Sequence, residues 1–198
     1  MFDEVGKLIV EGNASAAATT APLLVKTPRG ESVLVGTNSG LTALNAADLR
    51  PLGRVTLKGD QPRGTLVAQD LDRDSIPEVL MFTDRGRVIV VKSDEGKILW
   101  DADAKQGDST AFADINADGV LDLLLTSREN FAFALSGRNG AVIWTSDART
   151  GVATNHVGSH LPRSPFARQI TSGVLLIAAD ASGGLRALEF HKQVSTPR

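Results

Sequence analysis

The sequence predicts an all-β fold made of repeated four-stranded antiparallel units. Three observations carry this. Residues 33–44, 79–90, 123–134 and 174–185 each read as an apolar run, a polar turn with Gly or Asn, and a second apolar run. That is a hairpin signature. The starts of these segments lie 46, 44 and 51 residues apart, which is the spacing of a propeller blade of about 40 to 50 residues. The 19 glycines, set among abundant Val, Leu, Ile and Thr, favour many short strands joined by turns.

The remaining strands follow from the same frame. Residues 65–69 and 110–113 lead into acidic loops and are predicted first strands, with residues 23–26 and 166–170 in the same place in units one and four. Fourth strands are expected at 53–57, 96–100 and 140–144. Unit four lacks one, and residues 6–10 at the opposite end supply it, so that an N-terminal strand completes the last blade and leaves no open edge. The expected architecture is a single β-propeller array over 1–198, with four blades in this chain: about 21–58, 64–103, 109–147, and 165–192 plus strand 6–10. Residues 14–21, rich in Ala, Ser and Thr, read as a linker, and residues 150–165 as the longest irregular connection.

Composition narrows the function classes. The 198 residues suffice for a real core, and the formal net charge of −2 gives no argument for nucleic acid or a membrane surface as partner. No apolar run is long enough to span a bilayer, and the N-terminal residues lack the basic start and apolar stretch of a signal peptide. With no cysteine there are neither disulfides nor thiolate metal sites.

The acidic loops carry the chemistry. Asp70, Asp72, Asp74 and Glu78 occupy positions 1, 3, 5 and 9 of one loop; Asp114, Asn116, Asp118 and Asp122 occupy them in another, 44 residues on. Calcium takes six to eight oxygens at about 2.3 to 2.6 Å from carboxylates, amides and backbone carbonyls. Ile76 and Val120, at position 7, would offer carbonyls. Gly119 stands at position 6, where the loop turns sharply and a residue without Cβ suits best; Ser75 replaces it in the first loop. Position 12, where an EF-hand needs Glu, is Met81 or Leu125, so each loop closes early on its position 9 carboxylate. Without a cation, the gathered carboxylates repel one another. Two calcium sites are expected. A polar Asp/Asn/Gly turn without metal is the alternative.

These residues match an Asp-x-Asp-x-Asp-Gly-x-x-Asp pattern set between strands at blade spacing. In this the chain resembles the FG-GAP/VCBS repeat family, the calcium-loop propellers of integrin α-chains and many bacterial surface proteins. The likeness covers about residues 65 to 145. The Phe-Gly and Gly-Ala-Pro signatures are absent, so the resemblance is to the broader bacterial type. Residues 93–100 and 136–144, ending on Trp100 and Trp144, are similar to the tryptophan-docking motif of quinoprotein-like propellers. There the Trp packs between neighbouring blades, which implies a structural role for both.

Other candidates are weaker. His156 and His160 are four apart, but Gly158 and Pro162 disfavour the helix that would pair them on zinc. His191 has no evident partner, and Arg163 and Arg168 read as surface residues. No catalytic triad order or phosphate loop emerges. The expectation is a non-catalytic calcium-binding module for a protein or carbohydrate ligand, located outside the cell, on its surface or in the periplasm, where calcium is abundant. The alternatives are a polysaccharide-active or quinone-dependent enzyme domain, or half of a larger ring formed by a homodimer.

Overall fold

The computed structural model describes residues 11–105, 107, 110–126 and 132–145, together with strands at 166–170, 173–179 and 185–191. Every regular element among them is a strand, so no helix among the described residues is long and apolar enough to cross a membrane. The chain divides into two compact units, Met1–Asp101 and Ala102–Arg198.

In the first unit, β1 (Leu23–Thr27), β2 (Gly30–Thr37), β3 (Gly40–Asn45) and β4 (Pro51–Thr56) form one antiparallel sheet in chain order. β5 (Pro62–Gln69), β6 (Glu78–Thr83), β7 (Arg87–Lys92) and β8 (Lys97–Asp103) form a second, β8 running just past the unit's last residue. The middle strands are apolar without alternation because both of their faces are covered. All six residues of β6 are buried, whereas β4 and β8 are largely exposed. One core joins the two sheets. Val25, Leu34, Leu41 and Val55 from the first meet Leu66, Val79, Met81, Ile89 and Val91 from the second. Each such side chain removed from water contributes about 1.5 to 3 kcal/mol.

Two expectations change here. Residues 14–20 are not a free linker. Ala18 bridges to Thr37 and Thr20 to Gly64, the Thr19 N–H donates to the Gly36 carbonyl at 2.8 Å, and the Asn38 N–H to the Ala17 carbonyl at 2.9 Å. Small Ala and Thr side chains let the backbone lie close against β2. The first strand of the second sheet begins at Pro62, earlier than residue 65. Pro62 and Arg63 pair with Thr83 and Phe82, and the register then shifts before resuming at Val67 opposite Leu80. A proline at the first position of a strand costs no ladder bond.

In the second unit, β9 (Thr110–Ala113), β10 (Asp122–Thr126), β11 (Ala132–Leu135) and β12 (Val142–Thr145) make a four-stranded sheet. β13 (Phe166–Ile170), β14 (Gly173–Ala179) and β15 (Leu185–His191) make a three-stranded one. Ala111, Ala113, Leu124 and Ala134 pack with Val174 of β14, and Ile143 and Trp144 lie against that cluster. Trp144 therefore sits at a junction of two sheets, and Trp100 of β8 is buried. The expected closing strand at 6–10, His156, His160 and Arg163 lie outside the described residues. Arg168 falls in β13 and His191 ends β15.

The hairpin turns are tight where the sequence places glycine. Gly40 begins β3 at φ +132, and a Cβ there would stand 2.0 Å from the Val55 carbonyl oxygen. Gly53, in exposed β4, has open space and no such φ. Gly40→Ala is expected to cost about 2 to 4 kcal/mol in urea unfolding, and Gly53→Ala to be neutral or to stabilise by about 0.5 kcal/mol.

Candidate metal centre

Both acidic loops join the first strand of a sheet to its second, β5 to β6 and β9 to β10. They fold alike, residue for residue. The Asp74 N–H donates to Asp70 Oδ1 at 3.1 Å and to Asp72 Oδ1 at 3.2 Å, and the Ser75 N–H to Asp70 Oδ2 at 3.0 Å. In the second loop the Asp118 N–H donates to Asp114 Oδ1 and Asn116 Oδ1, both at 3.0 Å, and the Gly119 N–H to Asp114 Oδ2 at 3.1 Å. The position 5 carboxylate caps position 7 in each: Ile76 N–H to Asp74 Oδ1 at 2.8 Å, Val120 N–H to Asp118 Oδ1 at 2.9 Å. Positions 4 and 6 are left-handed in both, Arg73 (φ 63) and Ser75 (φ 69) matching Ala117 (φ 59) and Gly119 (φ 87). Ser75 thus adopts the conformation that Gly119 takes without strain.

The loops differ at position 9. Glu78 and Asp122 both open a second strand and are buried, at 1% and 0% exposure. Asp122 is fully engaged: Oδ2 accepts from the N–H groups of Ile115 at 2.9 Å and Asn116 at 3.4 Å, and Oδ1 from Gly137 at 3.2 Å. Glu78 Oε2 accepts from the Leu71 N–H at 2.9 Å, but Oε1 has no hydrogen-bond partner. Burial pushes both carboxyls above the usual range, against those N–H donors. For Glu78 the charges of Asp72 and Asp74 push the same way.

Each loop also meets a base from the following hairpin. Lys92, at the end of β7, places Nζ 2.6 Å from Asp74 Oδ2. That contact holds the Asp74 carboxyl below its ordinary value and raises the ammonium. Arg138, in the turn after β11, places Nε 3.3 Å from Asp118 Oδ2 and donates from Nη2 to the Asp118 carbonyl at 3.2 Å. Burial pushes Asp118 up, yet the Val120 N–H and Arg138 hold it below its ordinary value.

What remains open differs between the loops. Asp70, Asp72 and Glu78 bring one carboxylate oxygen each within 4.8 Å of one another. Among the described residues no other three acids converge so closely. In the second loop Asp114, Asp118 and Asp122 do not gather in this way, and Asn116 lends no charge. The sequence marked both loops, and favoured the second for the glycine at position 6, where the first has Ser75. It gave no sign of Lys92 and Arg138, which reach the loops only through the hairpin fold; a basic residue 14 or 16 positions beyond the position 9 acid was the available trace.

No family model matches the chain, and no curated protein matches it. Solved structures do. BamB from Moraxella catarrhalis, a quinoprotein-like propeller, superposes with a TM-score of 0.58 at 20% identity, over 93% of this chain and 50% of BamB. The computationally designed Ika4 protein matches with a TM-score of 0.56 at 13% identity, over 93% of this chain and 99% of Ika4. BBS1N, solved in complex with ARL6DN, matches with a TM-score of 0.53 at 15% identity, over 85% of this chain and 51% of its own. The chain thus spans about half the length of BamB. At these identities the likeness shows the fold alone: β-propeller-like, without singling out the FG-GAP/VCBS kind.

Asp122→Ala leaves three N–H groups without their acceptor, that of Gly137 buried and those of Ile115 and Asn116 partly buried. It is expected to cost about 2 to 4 kcal/mol in denaturant unfolding in calcium-free buffer.

Proposed function

We propose that this chain is a non-catalytic, calcium-binding β-propeller module, four blades of which lie in this sequence, and that it binds a protein or carbohydrate partner outside the cytosol. The observation that carries the calcium reading is the orphaned, buried Oε1 of Glu78, in a carboxylate that converges with those of Asp70 and Asp72. A buried carboxylate oxygen without a partner is costly, and three converging acids repel. A divalent ion relieves both at once, and an all-oxygen donor set suits calcium rather than a softer metal. Asp70, Asp72 and Glu78 would hold it, with the Ile76 carbonyl as a further donor and Asp74 joining once Lys92 is displaced. Asp114, Asn116, Asp118, Asp122 and the Val120 carbonyl form the second proposed site. That site is the weaker, because Asp122 is already engaged by N–H groups and Asp118 by Arg138.

Calcium pins a connection between first and second strands and does no chemistry in this reading. The binding role rests on the fold together with the solved complex of a neighbour of that fold with another protein. A second reading, pairing of two chains into a larger ring, is favoured by the match to half of BamB. Light scattering separates 20.9 kDa from twice that mass.

Calcium at about ten times a millimolar dissociation constant should add about 1.4 kcal/mol by mass action, or roughly 3 to 6 °C in melting temperature for a chain of this size. Identical melts in calcium and in EDTA would remove calcium from the account. Glu78→Gln should melt higher than wild type in EDTA, since it takes a charge out of the interior, and should lose most of the calcium increment.

A further inference from the structure

Between the β1–β2 turn and the β7–β8 turn of the first unit lies a cleft of about 410 Å³, within the size range of small-ligand sites. Its inner wall is aliphatic, with Leu34, Leu41, Val55 and Val91 all lining it. Its polar lining includes Ser93 and Asp94, with Thr27, Glu31, Ser32 and Asn45 beside them. The Asp94 side chain is only 8% exposed, yet its Oδ1 has no hydrogen-bond partner, and neither has the buried Ser93 Oγ.

The basic residues of the cleft meet this need only in part: Arg29 forms an ion pair with Asp94 but gives its carboxylate no hydrogen bond. Arg29 Nη1 donates to the main-chain carbonyl of Asp94 at 2.9 Å, while its Nη2 stays 3.8 Å from Asp94 Oδ2, beyond hydrogen-bond reach. Arg54 turns to the Ala14 carbonyl at 3.3 Å. Exposed Glu95 adds a further negative charge at the rim. A shielded carboxylate oxygen and a hydroxyl, unpartnered above an aliphatic wall, call for an N–H-bearing cation on an apolar body.

We propose that this cleft binds an organic cation, an amine or guanidinium on a short aliphatic chain. Asp94 takes its charge, Ser93 Oγ accepts a second hydrogen bond, and Leu34, Leu41, Val55 and Val91 receive the chain. The site is separate from the acidic loops and needs no calcium. A free amine and the side chain of a lysine or arginine in a partner present the same chemistry.

The test is a titration of the isotope-labelled full chain, followed by amide NMR in EDTA. The probes are n-butylguanidinium, butyrate, and a capped Ser-Arg-Ser peptide. Butylguanidinium should shift the amides of residues 27–30 and 93–96 saturably, butyrate should not, and Asp94→Asn should weaken binding about tenfold or more. Tighter binding of the peptide than of butylguanidinium assigns the source to a protein partner, and weaker binding to a free amine. The proposal fails if butylguanidinium causes no saturable shift up to about 10 mM, if butyrate binds equally, or if a folded Asp94→Asn binds as well as wild type. Should that variant not fold, the comparison of cation with anion on the wild-type chain decides alone.

Discussion

The structure depends on how a carboxylate is kept out of water at the first residue of a second strand. The strands β6 and β10 are buried along their whole length, and Glu78 and Asp122 sit where they begin. An acid in that position must have its lone pairs met. Asp122 achieves this with three backbone N–H groups, one of them from the next hairpin, and so ties its loop to its own sheet. Glu78 has one such donor. The two loops share backbone conformation and Asx-type hydrogen bonds throughout. Among the acidic positions their difference is one methylene and one charge: Glu for Asp at position 9, and Asp for Asn at position 3.

The fold was legible because its physics is periodic. Each hairpin reads as two apolar runs around a polar turn, and doubly covered middle strands give runs such as Val79-Leu80-Met81-Phe82 without alternation. Edge elements were less legible. β5 begins before its apolar residues do, because Pro62 pairs across an irregular stretch. Residues 14–20 dock through main-chain hydrogen bonds and small side chains, neither of which leaves a hydrophobic pattern. The loop acids were legible as a motif, and their left-handed turns follow from it. Which loop leaves an oxygen without a partner was not, since that depends on N–H groups such as that of Gly137, which only the hairpin brings near.

Contacts between residues far apart in sequence were the least legible part. Arg29 meets Asp94 across two turns, 65 positions apart in the chain, and in sequence each looks like an ordinary turn residue. Three successive positions around the β7–β8 turn face different tasks. Lys92 neutralises part of the acidic loop, while Ser93 and Asp94 line the cleft. A short turn linking two covered strands can present neighbouring side chains to separate environments because its backbone reverses within four residues. The propeller-like stacking thus sets the loops and the turns, and the chemistry is placed on those connections rather than on the strands.

Equilibrium dialysis of the full chain against radioactive calcium bears most directly on the proposed ion. The account predicts saturable retention on the wild-type chain, with the tighter component abolished by a combined Asp70→Asn and Asp72→Asn change in a protein that remains folded by circular dichroism. Retention no greater than that of an unrelated protein of equal charge, or unaltered retention by that variant, would contradict it.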